Sequence, residues 1–203
     1  MIRVSFTKFL DFIAQTGEPK AETAISAWRQ SNTPYDPKRD YHKRMRTALI
    51  EALRNGQSPN WEEFIELQNE KKRKNFSDTI TKFEEWKETY SSIHWFEPPR
   101  ATWSSTEFQI TVNPELGLSL DGNRVVVKLY LNRVRISSLK AQTGGLIMEQ
   151  ALRPLVENST SFAVYDIKAE RFHLFDGASE HLRYNLIGES ANMSAIIGAV
   201  RAA

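Results

Sequence analysis

Along the first ninety residues the hydrophobic positions recur with a helical period. Phe6, Phe9, Leu10 and Ile13 fall at i, i+3, i+4 and i+7, a single apolar stripe, and Gly17 with Pro19 marks its end. Ala21, Ala24, Ile25 and Trp28 predict a second, short helix that stops in the turn-rich residues 31–37. Asp36 as N-cap and Pro37 at the first helical position then start a third helix, expected to run to about Arg54 and to close at Asn55 and Gly56. Its apolar face is Tyr41, Met45, Leu49, Ala52 and Leu53. Asn60 and Glu63 have the spacing of a capping box ahead of Trp61, Phe64 and Ile65. A fifth helix, capped by Ser77 or continuous with the fourth through Lys71 to Lys74, carries Phe76, Ile80, Phe83 and Tyr90, with Trp86 at its edge.

After Pro98 and Pro99 the period changes from 3.6 to 2. Phe108, Ile110 and Val112 alternate with polar neighbours, as do Leu116, Leu118 and Leu120. Asp121 and Gly122 are a hairpin turn signal, and Arg124 to Asn132 is the most apolar of the three strands, so an antiparallel meander is expected. A crossing helix over about 139–156 follows, blurred by Gly144, Gly145 and Pro154. A second strand pair over 161–167 and 171–175 and a C-terminal helix through Met193, Ile196, Ile197 and Val200 complete the chain. The pattern predicts an α+β fold: a helical domain over 1–96 with about five helices and no strand, a Pro-containing hinge over 97–106, and an α+β domain over 107–203.

Composition removes several kinds of chemistry. The chain of 203 residues has no cysteine, which excludes disulfides, zinc-thiolate sites, iron-sulfur ligation and cysteine nucleophiles, and a reducing, cytoplasmic location is expected. Lys8 and Asp11 interrupt any signal-like apolar run, and no window is long and apolar enough for a membrane partner. With 27 Lys and Arg against 25 Asp and Glu, the net charge of +2 is too small for a global field to select a partner. The usual nucleotide-loop, dinucleotide, zinc-protease, serine-hydrolase and C-x-x-C signatures are absent. A non-catalytic binding or regulatory protein is favoured, with no cofactor and no metal.

Two groups of residues remain as candidates. Arg39, His42, Lys43 and Arg46 fall at i, i+3, i+4 and i+7 of the third helix, a basic stripe about a third of a turn from the apolar face. Such a stripe can track a nucleic-acid backbone, and it can equally be a solvated face. The run Lys71 to Lys74 lies among acids and reads as helix support. Another protein is the other candidate partner, met through exposed aromatics such as Trp95, Phe96 and Trp103.

The second group is the expected open face of the meander, with Gln109, Thr111, Ser119, Asp121, Arg124, Lys128, Tyr130 and Asn132 opposite the core. A helix, three antiparallel strands, a helix and a strand is an order that resembles the PD-(D/E)xK nuclease fold. The resemblance implies a metal-dependent nuclease, with an Asp near the second strand and a D/E-x-K on the third holding Mg²⁺. Asp121 and Lys128 fall near those places. Val126, however, stands where the pattern needs a carboxylate, which leaves Glu115 as a substitute from the neighbouring loop. If Lys128 is functional, its ammonium should reach Asp121 or Glu115. His173, Asp176 and His181 lack the spacing of a metal site.

Overall fold

The computed structural model of the chain describes residues 2–33, 40–106 and 108–202. The fold is α+β. In chain order it consists of β1 (Ile2–Ser5), α1 (Phe6–Ala14), α2 (Gly17–Ser31), α3 (Lys43–Asn55), α4 (Trp61–Glu66), α5 (Glu70–Glu88), β2 (Ile93–Phe96), β3 (Ala101–Ser104), β4 (Phe108–Val112), β5 (Leu116–Leu120), β6 (Asn123–Tyr130), α6 (Ser138–Leu152), β7 (Ser161–Asp166), β8 (Arg171–Leu174) and α7 (Glu180–Ala202).

Local chemistry sets most of the boundaries. The Ser5 hydroxyl accepts from the Lys8 amide to start α1, and Asn60 accepts from the Glu63 amide to start α4. Gly56, at φ 66°, takes the left-handed conformation that closes α3. At its other end α3 begins at Lys43 with His42 in the cap position; Asp36 and Pro37, expected to start it, lie outside the described residues. Ser77 does not cap α5. The Asn69 side chain accepts from the Lys71 amide and starts that helix at Glu70. Arg73 donates to the carbonyls of Gln68 and Glu66, which holds α4 and α5 as separate helices.

The expected meander is split between two sheets. β4 lies between β1, parallel, and β3, antiparallel, while β5 belongs to a five-stranded sheet of order β2, β5, β6, β7, β8. Pro114 lies in the connection between β4 and β5, where it offers no amide to a continuing ladder. β5 pairs antiparallel with both β2 and β6, and α6 carries the chain from β6 to a parallel β7. The expectation of no strand before residue 96 therefore fails at β1 and β2.

Each face of the five-stranded sheet carries a core. On one, Val126, Tyr130, Phe162 and Val164 pack with α1, α2, α6, α7 and β4. On the other, Val125, Val127, Leu129 and Tyr165 pack with α3 and α5. Burial on both faces explains the near-continuous apolar run of β6. It also removes the expected open polar face, since Lys128 is 1% exposed and Tyr130 fully buried. Both cores draw residues from both sides of the Pro98–Pro99 boundary.

Candidate functional site

The start of α3 is built by Asp40. Its carboxylate accepts from the His42 amide at 3.2 Å and from the Arg46 guanidinium at 2.6 Å. That second bond turns Arg46 away from the expected stripe and toward the sheet, where it lies 4.0 Å from Glu115. Tyr41 is clamped in turn from α5: Lys72 lies 4.4 Å from the centre of its ring and donates to its carbonyl, and Asn75 donates to its hydroxyl. Between α3, α4 and the first turn of α5 runs a groove of about 890 Å³, with Tyr41, Phe64 and Leu67 as apolar walls and Lys43, Arg44 and Lys72 as cations. Asp40 and Glu51 also reach it.

Positive charge extends beyond the groove. Burial, then the nearby Lys168 ammonium, with Arg46 and Lys72 adding and Asp40 opposing, lowers the His42 imidazole from 6.5 to about 4. His42 is therefore neutral at pH 7. Lys168, after β7, is itself pushed below the usual lysine range by burial and by Arg133, after β6. Of the four stripe residues, the groove keeps Lys43, while Arg46 turns to Asp40 and Glu115, His42 lies near Lys168, and Arg39 lies outside the described residues.

Lys128 and Glu115 do come together. The ammonium lies 2.6 Å from one carboxylate oxygen of Glu115, whose other oxygen accepts from the Leu129 amide at 2.9 Å. Asp121 does not join them. It occupies the turn between β5 and β6 at φ 47°, accepting from the Ser92 amide at 2.8 Å. Beside the pair, Asp11 accepts from the Asn132 side chain, and burial raises it from 3.8 to about 6 against the opposing pull of Asn132, Lys8, Tyr130 and Lys128. The Tyr130 hydroxyl is buried beside Asp11. Asp166, fully buried, accepts from the amides of Ile136 and Ala169 and ties down two loops.

The carboxylates around Lys128 already have partners within the chain. Glu115 is consumed by Lys128 and a backbone amide, Asp11 is bound by Asn132, and Val126 is in the core. Among the described residues no group of three or more His, Asp or Glu side chains gathers as a ligand set. The aromatics proposed for a protein partner are engaged within the chain: Arg54 lies over Trp95, Arg124 over Phe96, and Trp103 donates to Gln150.

Sequence reasoning missed Arg44, Lys72 and the outward use of Tyr41. Tyr41 satisfies the apolar period of α3, and Lys72 sits in a run whose acidic surroundings suggested only helix support. Asp11 carried a detectable signal, a lone carboxylate between the apolar positions of α1. No protein-family model and no curated protein sequence matches the chain. One solved structure to which it is similar is that of a protein from Eubacterium rectale whose name proposes an exonuclease, at 12% identity and a TM-score of 0.46, over 96% of this chain and 80% of that one. A likeness at that level fixes neither the fold nor the chemistry. Among the described residues no helix is long and apolar enough to cross a membrane.

Proposed function

We propose that the protein binds single-stranded nucleic acid, without catalysis, in the groove between α3, α4 and α5. The observation that supports this reading is the placement of Lys43, Arg44 and Lys72 around the partly exposed ring of Tyr41 in one groove. Cations that neutralise phosphates beside an aromatic face that stacks a base are the two elements of sequence-tolerant single-strand binding. Lys168 and Arg133 extend the positive surface past His42. The buried Lys128 and Glu115 belong to the scaffold in this reading.

Retention on a single-stranded oligonucleotide measured against salt tests the proposal. Three phosphate contacts predict a log–log slope of about −2. Lys43→Glu with Arg44→Glu should abolish retention while the melting temperature moves by only a few degrees, because both side chains are exposed and the bond from Arg46 to Asp40 remains. Salt-independent retention, or unchanged binding by the double variant, overturns the reading. Magnesium-dependent cleavage that is lost in Lys128→Met would overturn its non-catalytic part.

A further inference from the structure

The inner side of α7 is fully used. Leu182, Leu186, Met193 and Ile197 are buried in the first core, and Glu189 is paired with Lys20 of α2. Its outer side is unlike the solvated face of an ordinary surface helix. From Ser190 to Val200 there is no charged residue, and Tyr184 and Ile187 are each 64% exposed. Glu180, Tyr184, Ile187, Ala191, Ser194, Gly198 and Arg201 follow one another at alternating spacings of four and three, the seam of a helix that pairs with another. We propose that two copies of this chain form a twofold dimer through antiparallel pairing of their α7 helices, with Ala191 at the axis.

Size and charge along the seam select that occupant and that direction. Bulk is confined to the N-terminal half of the helix and small residues to the C-terminal half. A parallel copy would set Tyr184 on Tyr184, leave a gap at Gly198, and bring like charges together at both ends. An antiparallel copy places Tyr184 of one chain over Gly198 of the other, Ile187 over Ser194 and Ala195, and Glu180 beside Arg201. Space for the ring exists, since a Cβ built at Gly198 would meet nothing within 4 Å.

A second feature points to the same face. Between α7 and Trp103 of the edge strand β3 lies a groove of about 680 Å³, also lined by Ile187, Ser190 and Ser194. Ser190 is only 5% exposed, and its buried hydroxyl has no hydrogen-bond partner among the described residues. The twofold keeps the same edge of both helices on the same side and so brings Ser194 of the second copy alongside Ser190. This surface is separate from the groove between α3, α4 and α5.

Light scattering of the whole chain across a concentration series should show a monomer–dimer equilibrium. Ala191→Arg, which sets like charges across the axis, should weaken it by about tenfold or more. Because the chain has no cysteine, Ala191→Cys introduces a single thiol that a short bis-maleimide should link to its own copy much faster than it links Thr81→Cys, an exposed position on α5. Should Ala191→Arg fail to fold, the cross-linking comparison decides alone. A monomer at every concentration, a dimer indifferent to Ala191→Arg, or equal cross-linking at positions 191 and 81 overturns the proposal.

Discussion

Asp11 and His42 titrate in overlapping ranges with opposite consequences for stability. Burial holds the Asp11 carboxyl at about 6, above its ordinary 3.8, so the folded state binds that proton more tightly than the unfolded chain. Its contribution to stability is full below pH 3.8 and is lost as the pH rises through 6. Burial and neighbouring cations hold His42 at about 4, below its ordinary 6.5. Its contribution is present above pH 6.5 and is lost as the pH falls through 4. In the wild-type protein the two slopes oppose each other over the shared range, and each single variant exposes the partner's. Asp11→Asn keeps an oxygen for Asn132 and should give stability that rises from pH 4 to 6.5, whereas His42→Gln should give stability that falls from pH 4 to 6. The rise of the Asp11 carboxyl from 3.8 to about 6 bounds its effect at roughly 3 kcal/mol. Urea denaturation in small pH steps measures both slopes, and slopes of the same sign in the two variants would falsify the assignment.

At the level of elements, close backbone approach fixes the pairing of β2 with β5. Gly117 lies opposite Phe96, and a Cβ there would run into the Phe96 carbonyl oxygen and ring. Gly117→Ala should therefore cost about 3 kcal/mol in chemical denaturation, because a backbone carbonyl cannot move aside as a flexible side chain can. A cost below about 1 kcal/mol would mean that β2 is free to shift. That pairing was hard to read from sequence. β1, β2 and β3 have four residues each, too few for an alternation to stand out. In β1 the apolar Ile2 and Val4 run directly into the stripe of α1. The longer periods in α1, β5, β6 and β7 were legible, as was the Gly56 stop. What the sequence could not carry was which strands share a sheet: Phe108 to Val112 and Leu116 to Leu120 alternate identically, yet their edges are taken by β1 and β3 in one case and by β2 and β6 in the other. The site shows the same limit. The helical wheel that placed Arg46 beside Lys43 had no knowledge of Asp40, which pulls Arg46 inward toward Glu115, whereas the pairing of Lys128 with Glu115 was among the expectations.

At the scale of the molecule, the five-stranded sheet makes the two cores interdependent. Val126 and Val127 are adjacent on β6, yet they face opposite cores, and β7 alternates in the same way between Phe162 and Ala163. Losing either core leaves one face of these central strands in water, so both should unfold together despite the prolines at 98 and 99. The five tryptophans divide in a way that tests this: Trp28 and Trp103 pack on the first core, and Trp61, Trp86 and Trp95 on the second. One variant with Trp28 and Trp103 changed to Phe reports only on the second core. Another with Trp61, Trp86 and Trp95 changed reports only on the first. In each, the urea midpoint followed by fluorescence should coincide with the midpoint followed by far-ultraviolet circular dichroism of the same variant, whatever its stability. Two independent domains divided at the hinge would instead give a fluorescence transition for the second core that separates from part of the circular dichroism change, because α3 and α5 would melt without the sheet. Such a separation would restore the division at residues 97–106 that the shared cores argue against.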